Sequence, residues 1–244
     1  MSSLNRREFL AGAGAVASSV AMGRGVGDFA GKLFFISKDP KKTAHDYVQD
    51  GLIAMWDGIE NAGWGIHDPN ATKWLDLIGG GLSVDSGATF EDDCILFESA
   101  SSFILHSDNM YQTSEVVFRP ADETQMNAFM SMRYRSAIGS MTNLVGVGLY
   151  QSVPFGKSVA GEIISTSVSY DEGSSTAKNP YVNGRSGTMT SGNWSNPVSA
   201  SWRIGGACSK QFKGRVYSIR IYNRQLDNSE ILANYAIDKE RFGL

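Results

Sequence analysis

Residues Val198–Ile204 read VSASWRI, and their alternation decides the fold class. Successive side chains of an extended chain point to opposite faces, so Val198, Ala200, Trp202 and Ile204 share one side while Ser199, Ser201 and Arg203 share the other. One side is set to be buried and the other wetted. Runs of the same kind occur at Gly51–Trp56 (GLIAMW), Cys94–Glu98 (CILFE), Ser102–His106 (SFILH), Ser114–Arg119 (SEVVFR) and Asn127–Tyr134 (NAFMSMRY). Asn143–Tyr150 (NLVGVGLY), Glu162–Tyr170 (EIISTSVSY) and Arg215–Tyr222 (RVYSIRIY) continue the series. These short segments are broken by Gly, Ser, Asn and Asp, which is the rhythm of an all-β chain. Set against one convincing helix, they favour two packed antiparallel sheets over any βαβ arrangement. The expected fold is therefore all-β: a two-sheet antiparallel β-sandwich, or jelly roll, with a short C-terminal helix.

That helix is LDNSEILANYAIDKERF, Leu226–Phe242. Asp227 is placed to cap its first turn and Glu230, three residues on, to complete a capping box. Ile231, Leu232 and Tyr235 make a narrow apolar stripe suited to the sandwich edge, and Lys239 and Arg241 suit the negative end of the helix dipole.

The 244 residues suffice for one large domain, and a 42% hydrophobic, 19% charged composition is that of a globular chain with a sizeable core. A net charge of −3 and a pI near 5.6, with no basic stripe interleaved with aromatics, lack the footprint of a nucleic-acid binder. Cys94 and Cys208 lie too far apart for a CxxC motif. Their spacing leaves open one disulfide, if the chain is exported, or two buried thiols.

The first residues, MSSLNRREFLAGAGAVASSVAMG, place paired arginines Arg6 and Arg7 before Phe9, Leu10 and a weakly apolar stretch ending at Met22. A basic segment ahead of a short apolar run is the physical form of an export signal. The segment resembles a bacterial twin-arginine signal, although Ala11 stands where that family commonly has lysine. Residues 1–27 are thus expected to be an export signal or a flexible arm, 28–46 a lysine-rich linker, and 47–244 the sandwich. No other apolar run reaches the ~18 residues of a membrane span. GAGAVA at Gly12–Ala17 fits a loose dinucleotide pattern, but no strand precedes it.

A family resemblance rests on Arg203–Tyr235, RIGGACSKQFKGRVYSIRIYNRQLDNSEILANY. It resembles the closing segment of bacterial concanavalin A-like, laminin-G-like jelly-roll domains, with their "IGG" strand, their "R-I-Y-N-R-x-L" strand end and their helix carrying "E-I-x-x-N-Y". GLIAMWDGIENAG (Gly51–Gly63) and WLDLIGG (Trp74–Gly80) are similar to the first strand and the "W-x-D-L-x-G" of the same domains. The resemblance implies a β-sandwich, a binding or adhesion role for the most part, and often a calcium ion at a loop edge.

Spacing limits the catalytic patterns the chain can hold. A laminarinase-type glycosidase needs E-x-D-x-x-E on one strand, so that two carboxylates meet one sugar bond; the string is absent. Glu91–Asp93 reads as a turn and Asp227–Glu230 as a helix cap. No G-x-S-x-G elbow exists, Phe155–Ser158 (FGKS) lacks the first glycine of a phosphate loop, and His45, His67 and His106 are scattered. The expectation is that the protein is not an enzyme.

Trp56–Asn70, WDGIENAGWGIHDPN, gathers two tryptophans, three acidic residues and a histidine in a glycine-broken loop ending in a strong turn signal. In one reading it is a structured connection in which Trp56 points into the core and Trp64 covers the sandwich edge. In the other, Trp64 with Asp57, His67 and Asp68 forms a ligand surface, the indole packing on a sugar ring while polar neighbours bond its hydroxyls. Asp57, Glu60, Asp68 and Asn70 could supply some oxygen ligands for Ca2+, although no spacing is diagnostic. Tyr111 and Trp194 lie in other polar loops and are further ligand candidates. The functional expectation is a recognition module for carbohydrate or a protein ligand, exported to the periplasm, cell surface or medium. The alternative is a phage or virion attachment protein.

Overall fold

The computed structural model describes residues 41–79, 81–83, 88–98, 103–105, 112–121, 127–132, 136–141, 144–148, 151–155, 157–170, 177–187, 202–204, 206–207 and 210–244. The chain divides into two units, Met1–Lys38 and Asp39–Leu244, and the described residues belong to the second.

After a 3-10 turn at Ala44–Asp46, the strands are β1 (Leu52–Asp57), β2 (Lys73–Leu75), β3 (Gly81–Ser83), β4 (Ala88–Phe90), β5 (Ile95–Phe97) and β6 (Phe103–Leu105). Then come β7 (Thr113–Pro120), β8 (Asn127–Met132), β9 (Ser136–Met141), β10 (Leu144–Gly148), β11 (Gln151–Pro154) and β12 (Ile164–Tyr170). The series closes with β13 (Ala177–Val182), β14 (Arg185–Ser186), β15 (Trp202–Ile204), β16 (Gly206–Ala207), β17 (Lys210–Gln211), β18 (Gly214–Tyr222) and the helix α1 (Asn228–Phe242). All are paired antiparallel. One sheet runs β14-β13-β12-β7-β18-β5-β4 and the other β11-β10-β9-β8-β15-β6, with small hairpins β2-β3 and β16-β17 beside them. The fold is an all-β sandwich carrying one C-terminal helix.

β18 is the axis of the larger sheet. It pairs with β7 along its whole length, while its other edge is shared: β5 takes Gly214–Val216 and β1 takes Ser218–Tyr222. The hand-over falls at Gly58, whose amide donates to the Tyr217 carbonyl (2.7 Å), and an added Cβ there would run into the backbone of Asp93 and Cys94. A bulge between Val216 and Ser218 resets the alternation. Val216, Ile219 and Ile221 thereby join one apolar cluster with Trp56, Trp74, Phe90, Ile95, Phe97, Val116, Phe118, Ile164 and Phe212, all under 9% exposed. Trp74 is wholly enclosed there and donates its indole N–H to the Asp57 carbonyl at 2.9 Å.

The opposite face of the same sheet is buried as well. Arg220, Tyr222, Glu115, Ser165 and Ser167 lie on it and are at most 7% exposed. They are covered by α1 and by the segment Lys42–Val48, which runs beside the helix. α1 starts as its sequence dictates: Asp227 accepts from the Glu230 amide (2.9 Å) and Glu230 accepts from the Asp227 amide (2.9 Å), and Gly243 ends it with a left-handed φ of 75°. Its buried side departs from expectation. Ile231, Asn234, Ile237, Asp238 and Phe242 face the sheet, whereas Leu232 is 45% exposed and Tyr235 only half-buried. The expected Ile231–Leu232–Tyr235 stripe is corrected because the surface beneath the helix is itself polar, and selects asparagine and aspartate.

Candidate functional site

The two arginines beneath α1 organise everything around them. Arg220 sends Nη1 and Nη2 to the two oxygens of Asp238 (2.8 and 3.0 Å), Nε to Glu115 (2.9 Å) and Nη1 also to the Ser218 hydroxyl (3.2 Å). Asp238 further accepts from the Tyr47 hydroxyl (2.8 Å) and the Ser165 hydroxyl (2.7 Å). Asn234 donates to Glu115 (2.8 Å) and to the Tyr222 oxygen (3.1 Å), and accepts from the Val48 amide (2.9 Å). Arg241 holds Asp57 in a two-toothed pair (2.7 and 2.9 Å) and reaches Glu60 at 3.3 Å. Both guanidiniums lie over the Tyr47 ring, 4.0 and 5.5 Å from its centroid. Burial drives the Tyr47 phenol well above its ordinary range, and also raises the carboxyls of Asp57 and Glu115 against the pull of Arg241 and Arg220.

The loop that follows β1 is tied to this cluster. Asp57 accepts from the amides of Ile59 and Glu60 (both 3.0 Å), and Glu60 accepts from the amides of Ala44 (2.8 Å) and Gly65 (2.8 Å). Asn61 and Asp68 clasp each other through Nδ2 to carbonyl (2.7 Å) and amide to Oδ1 (2.8 Å). His67 donates its Nδ1–H toward the carbonyls of Gly58 and Ile59, both at 3.2 Å. Trp64 stacks on the imidazole of His45 with ring centroids 3.7 Å apart and planes 12° off parallel, and packs inward against the cluster of Tyr47, Leu52 and Met55. The loop is thus held in one shape by its own polar groups.

This placement sorts the residues proposed from sequence. Asp57, expected at a ligand surface, is fully buried and bound to Arg241, and that expectation is corrected: its carboxylate balances a guanidinium. Trp64 and His67 are half-buried. Asp68 is half-buried, with one oxygen accepting from the Asn70 amide at 2.8 Å, and Ile66 beside it is 55% exposed. Tyr111 and Trp194 lie outside the described residues, as do His106 and Cys208. Cys94 is a buried free thiol that donates to Glu91 at 3.2 Å. The suggested calcium donors are not gathered together, since Asp57 and Glu60 serve Arg241. Among the described residues no group of three or more His, Cys, Asp and Glu side chains is placed to hold a metal ion. No helix among the described residues is long and apolar enough to cross a membrane.

Sequence reasoning missed Glu115, Arg220, Asn234, Asp238 and Arg241. A signal existed: Ile231, Asn234, Asp238 and Arg241 recur at three- and four-residue steps, which puts polar side chains on the same helix stripe as a buried isoleucine.

No family model and no curated protein matches the chain. Solved structures do. Trypanosoma rangeli sialidase superposes with a TM-score of 0.55 at 14% identity, over 78% of this chain and 33% of that one. The same sialidase in complex with sialic acid gives 0.52 at 15% identity over the same shares. Domain 4 of AbnA, a GH43 extracellular arabinanase from Geobacillus stearothermophilus, in complex with arabinotriose, gives 0.48 at 19% identity, over 76% and 98%. The chain spans about a third of the length of the sialidases it matches, and at such identities the likeness establishes the fold alone. It does overturn the expectation that the protein is not an enzyme, because enzymes are among the proteins sharing this fold. A missing carboxylate pair excludes one glycosidase design and no other chemistry.

Proposed function

We propose that the chain is an exported glycan-recognition domain of the concanavalin A-like, laminin-G-like kind, with residues 1–27 as its export signal and the loop after β1 as part of its ligand surface. The observation that carries this reading is the loop itself. Its amides, its Asn61–Asp68 clasp and the Trp64–His45 stack fix its shape before any ligand arrives, which lowers the ordering entropy that binding must overcome. It offers an aromatic stack, an exposed Ile66 and the free oxygen of Asp68, the mixture of apolar face and directed acceptor that sugar rings require. The sealed outer face of the larger sheet supports the same choice, since it is closed to a ligand.

The test is a glycan array probed with wild type, Trp64→Ala and Asp68→Ala, with and without calcium, while the supernatant is assayed for released sugar. Retention that falls at least about tenfold in Trp64→Ala, roughly 1.4 kcal/mol, is expected. Retention unchanged in both variants would move the site elsewhere, and retention of no glycan at all would remove the reading. Released product would place the protein among the enzymes of this fold.

A further inference from the structure

The segment that carries His45 is pinned at three points. The Lys42 amide donates to Glu240 on α1 (3.0 Å), the Ala44 amide to Glu60 (2.8 Å) and the Val48 amide to Asn234 on α1 (2.9 Å), while Asp46 draws the Thr43 amide back onto the turn at 2.7 Å. Ala44 and Tyr47 are buried by this frame, whereas His45 is exposed and lies flat on Trp64. An imidazole with one face 3.7 Å from an indole turns its other face to solvent, and its ring nitrogens have no hydrogen-bond partner among the described residues. Trp64 is half-buried and leans on Tyr47, Leu52 and Met55, so the outer layer of the stack is His45. One carboxylate sets both rings. Glu60, 4% exposed, accepts from the Ala44 amide through Oε1 and from the Gly65 amide through Oε2, both at 2.8 Å, and Arg241 reaches Oε1 at 3.3 Å. Ala44 precedes His45 and Gly65 follows Trp64, so the two stacked residues are registered to each other through a single buried side chain. A carboxylate can take all three donors together, whereas an amide in its place has one acceptor oxygen.

We propose that the ring a bound sugar meets is His45, that Trp64 backs it from beneath, and that Glu60 is the residue that positions the pair. This rests on the reading of the loop after β1 as a ligand surface and adds the contact residue and the class of ligand: an uncharged sugar ring laid by its C–H face on the imidazole. An apolar ring face gains from an aromatic plane that is already held in place. The hydroxyls around that sugar find one N–H donor and one acceptor nitrogen at the rim of a neutral imidazole. Lys42 and Asp46 on the same turn are paired with each other (3.4 Å), as are Arg241 and Glu60 behind it (3.3 Å), which suits an uncharged ligand. Glu60 is buried and acts through the two rings, without touching the sugar.

The experiment compares the full chain and its variants on an array of neutral and acidic glycans, with near-ultraviolet circular dichroism reporting the fold of each. Retention of neutral glycans is expected to fall at least about fivefold in His45→Ala, and by less in His45→Phe, which keeps a ring face and lacks the nitrogens. Glu60→Gln is expected to lower retention too, and combining it with His45→Ala should cost little more, because a residue that acts through the imidazole then has nothing left to position. If Trp64→Ala loses retention while His45→Ala binds as wild type does, or more tightly, the indole is the contact: the proposal is overturned and the loop remains the ligand surface. Losses in His45→Phe as deep as in His45→Ala, losses from Glu60→Gln and His45→Ala that add in full, or retention of acidic glycans alone would overturn it as well. A wild type that retains no glycan, or one matched by Trp64→Ala, Asp68→Ala and His45→Ala alike, removes the loop as a ligand surface, and the proposal falls with it. His45 is exposed, so its variants decide the contact even if Glu60→Gln does not fold.

Discussion

The two faces of the larger sheet are buried to nearly the same degree and held differently, one by apolar contact and the other by apolar contact interleaved with ion pairs. On one, Phe97, Val116, Phe118, Ile164, Val216 and Ile219 exclude water through apolar contact, which has no preferred direction. On the other, Glu115, Arg220, Asp238, Asp57 and Arg241 are equally dry and are held by paired, directional bonds. The apolar face tolerates apolar side chains of similar volume. The ionic face tolerates few, because removing one partner strands another charge away from water, whereas removing all of them together can leave stability unchanged. It therefore specifies where the helix sits more than it strengthens the fold.

The sharpest break in that contrast is Arg220→Ala, expected to destabilise by about 3–5 kcal/mol in denaturant titration by stranding Glu115 and Asp238. The combined replacement Arg220→Met, Glu115→Leu, Asp238→Leu should recover most of that loss. If it does not, the pairs contribute net stability and the contrast between the faces is wrong. On the apolar face, Ile219→Val is expected to lower stability by about 0.5–1.5 kcal/mol. Asp227→Ala, which removes the helix cap while leaving the cluster intact, should cost about 1 kcal/mol and leave near-ultraviolet aromatic signals unchanged. Leu232→Ser, on the exposed side of α1, should fall within about 0.5 kcal/mol of wild type; a larger effect would mean that the helix presents its apolar stripe to something after all.

The fold was legible because its evidence is local. Each of the nine runs read as strands contains or overlaps a strand, since alternation records which face meets the core, and the Asp227–Glu230 box starts the helix where it was expected. The nine missed strands, β2, β3, β4, β9, β11, β13, β14, β16 and β17, are short or carry Gly, Asn, Pro and Ser, whose weak β-propensity is overridden by neighbours in the sheet. The loop after β1 was legible in part. Its Gly-rich, turn-forming composition and the inward course of Trp56 were readable, whereas the partner of Asp57 was not. Arg241 lies 184 positions away, and nothing in either neighbourhood names the other.

By itself the sequence determined a period-two chain ending in a capped helix, because both follow from steric rules acting over a few residues. Only the tertiary structure decided that Glu115 and Arg220, wet by their place in the alternation, would be covered. Burying charge depends on partners brought from remote segments, and complementary charges have no periodicity along the chain to announce them.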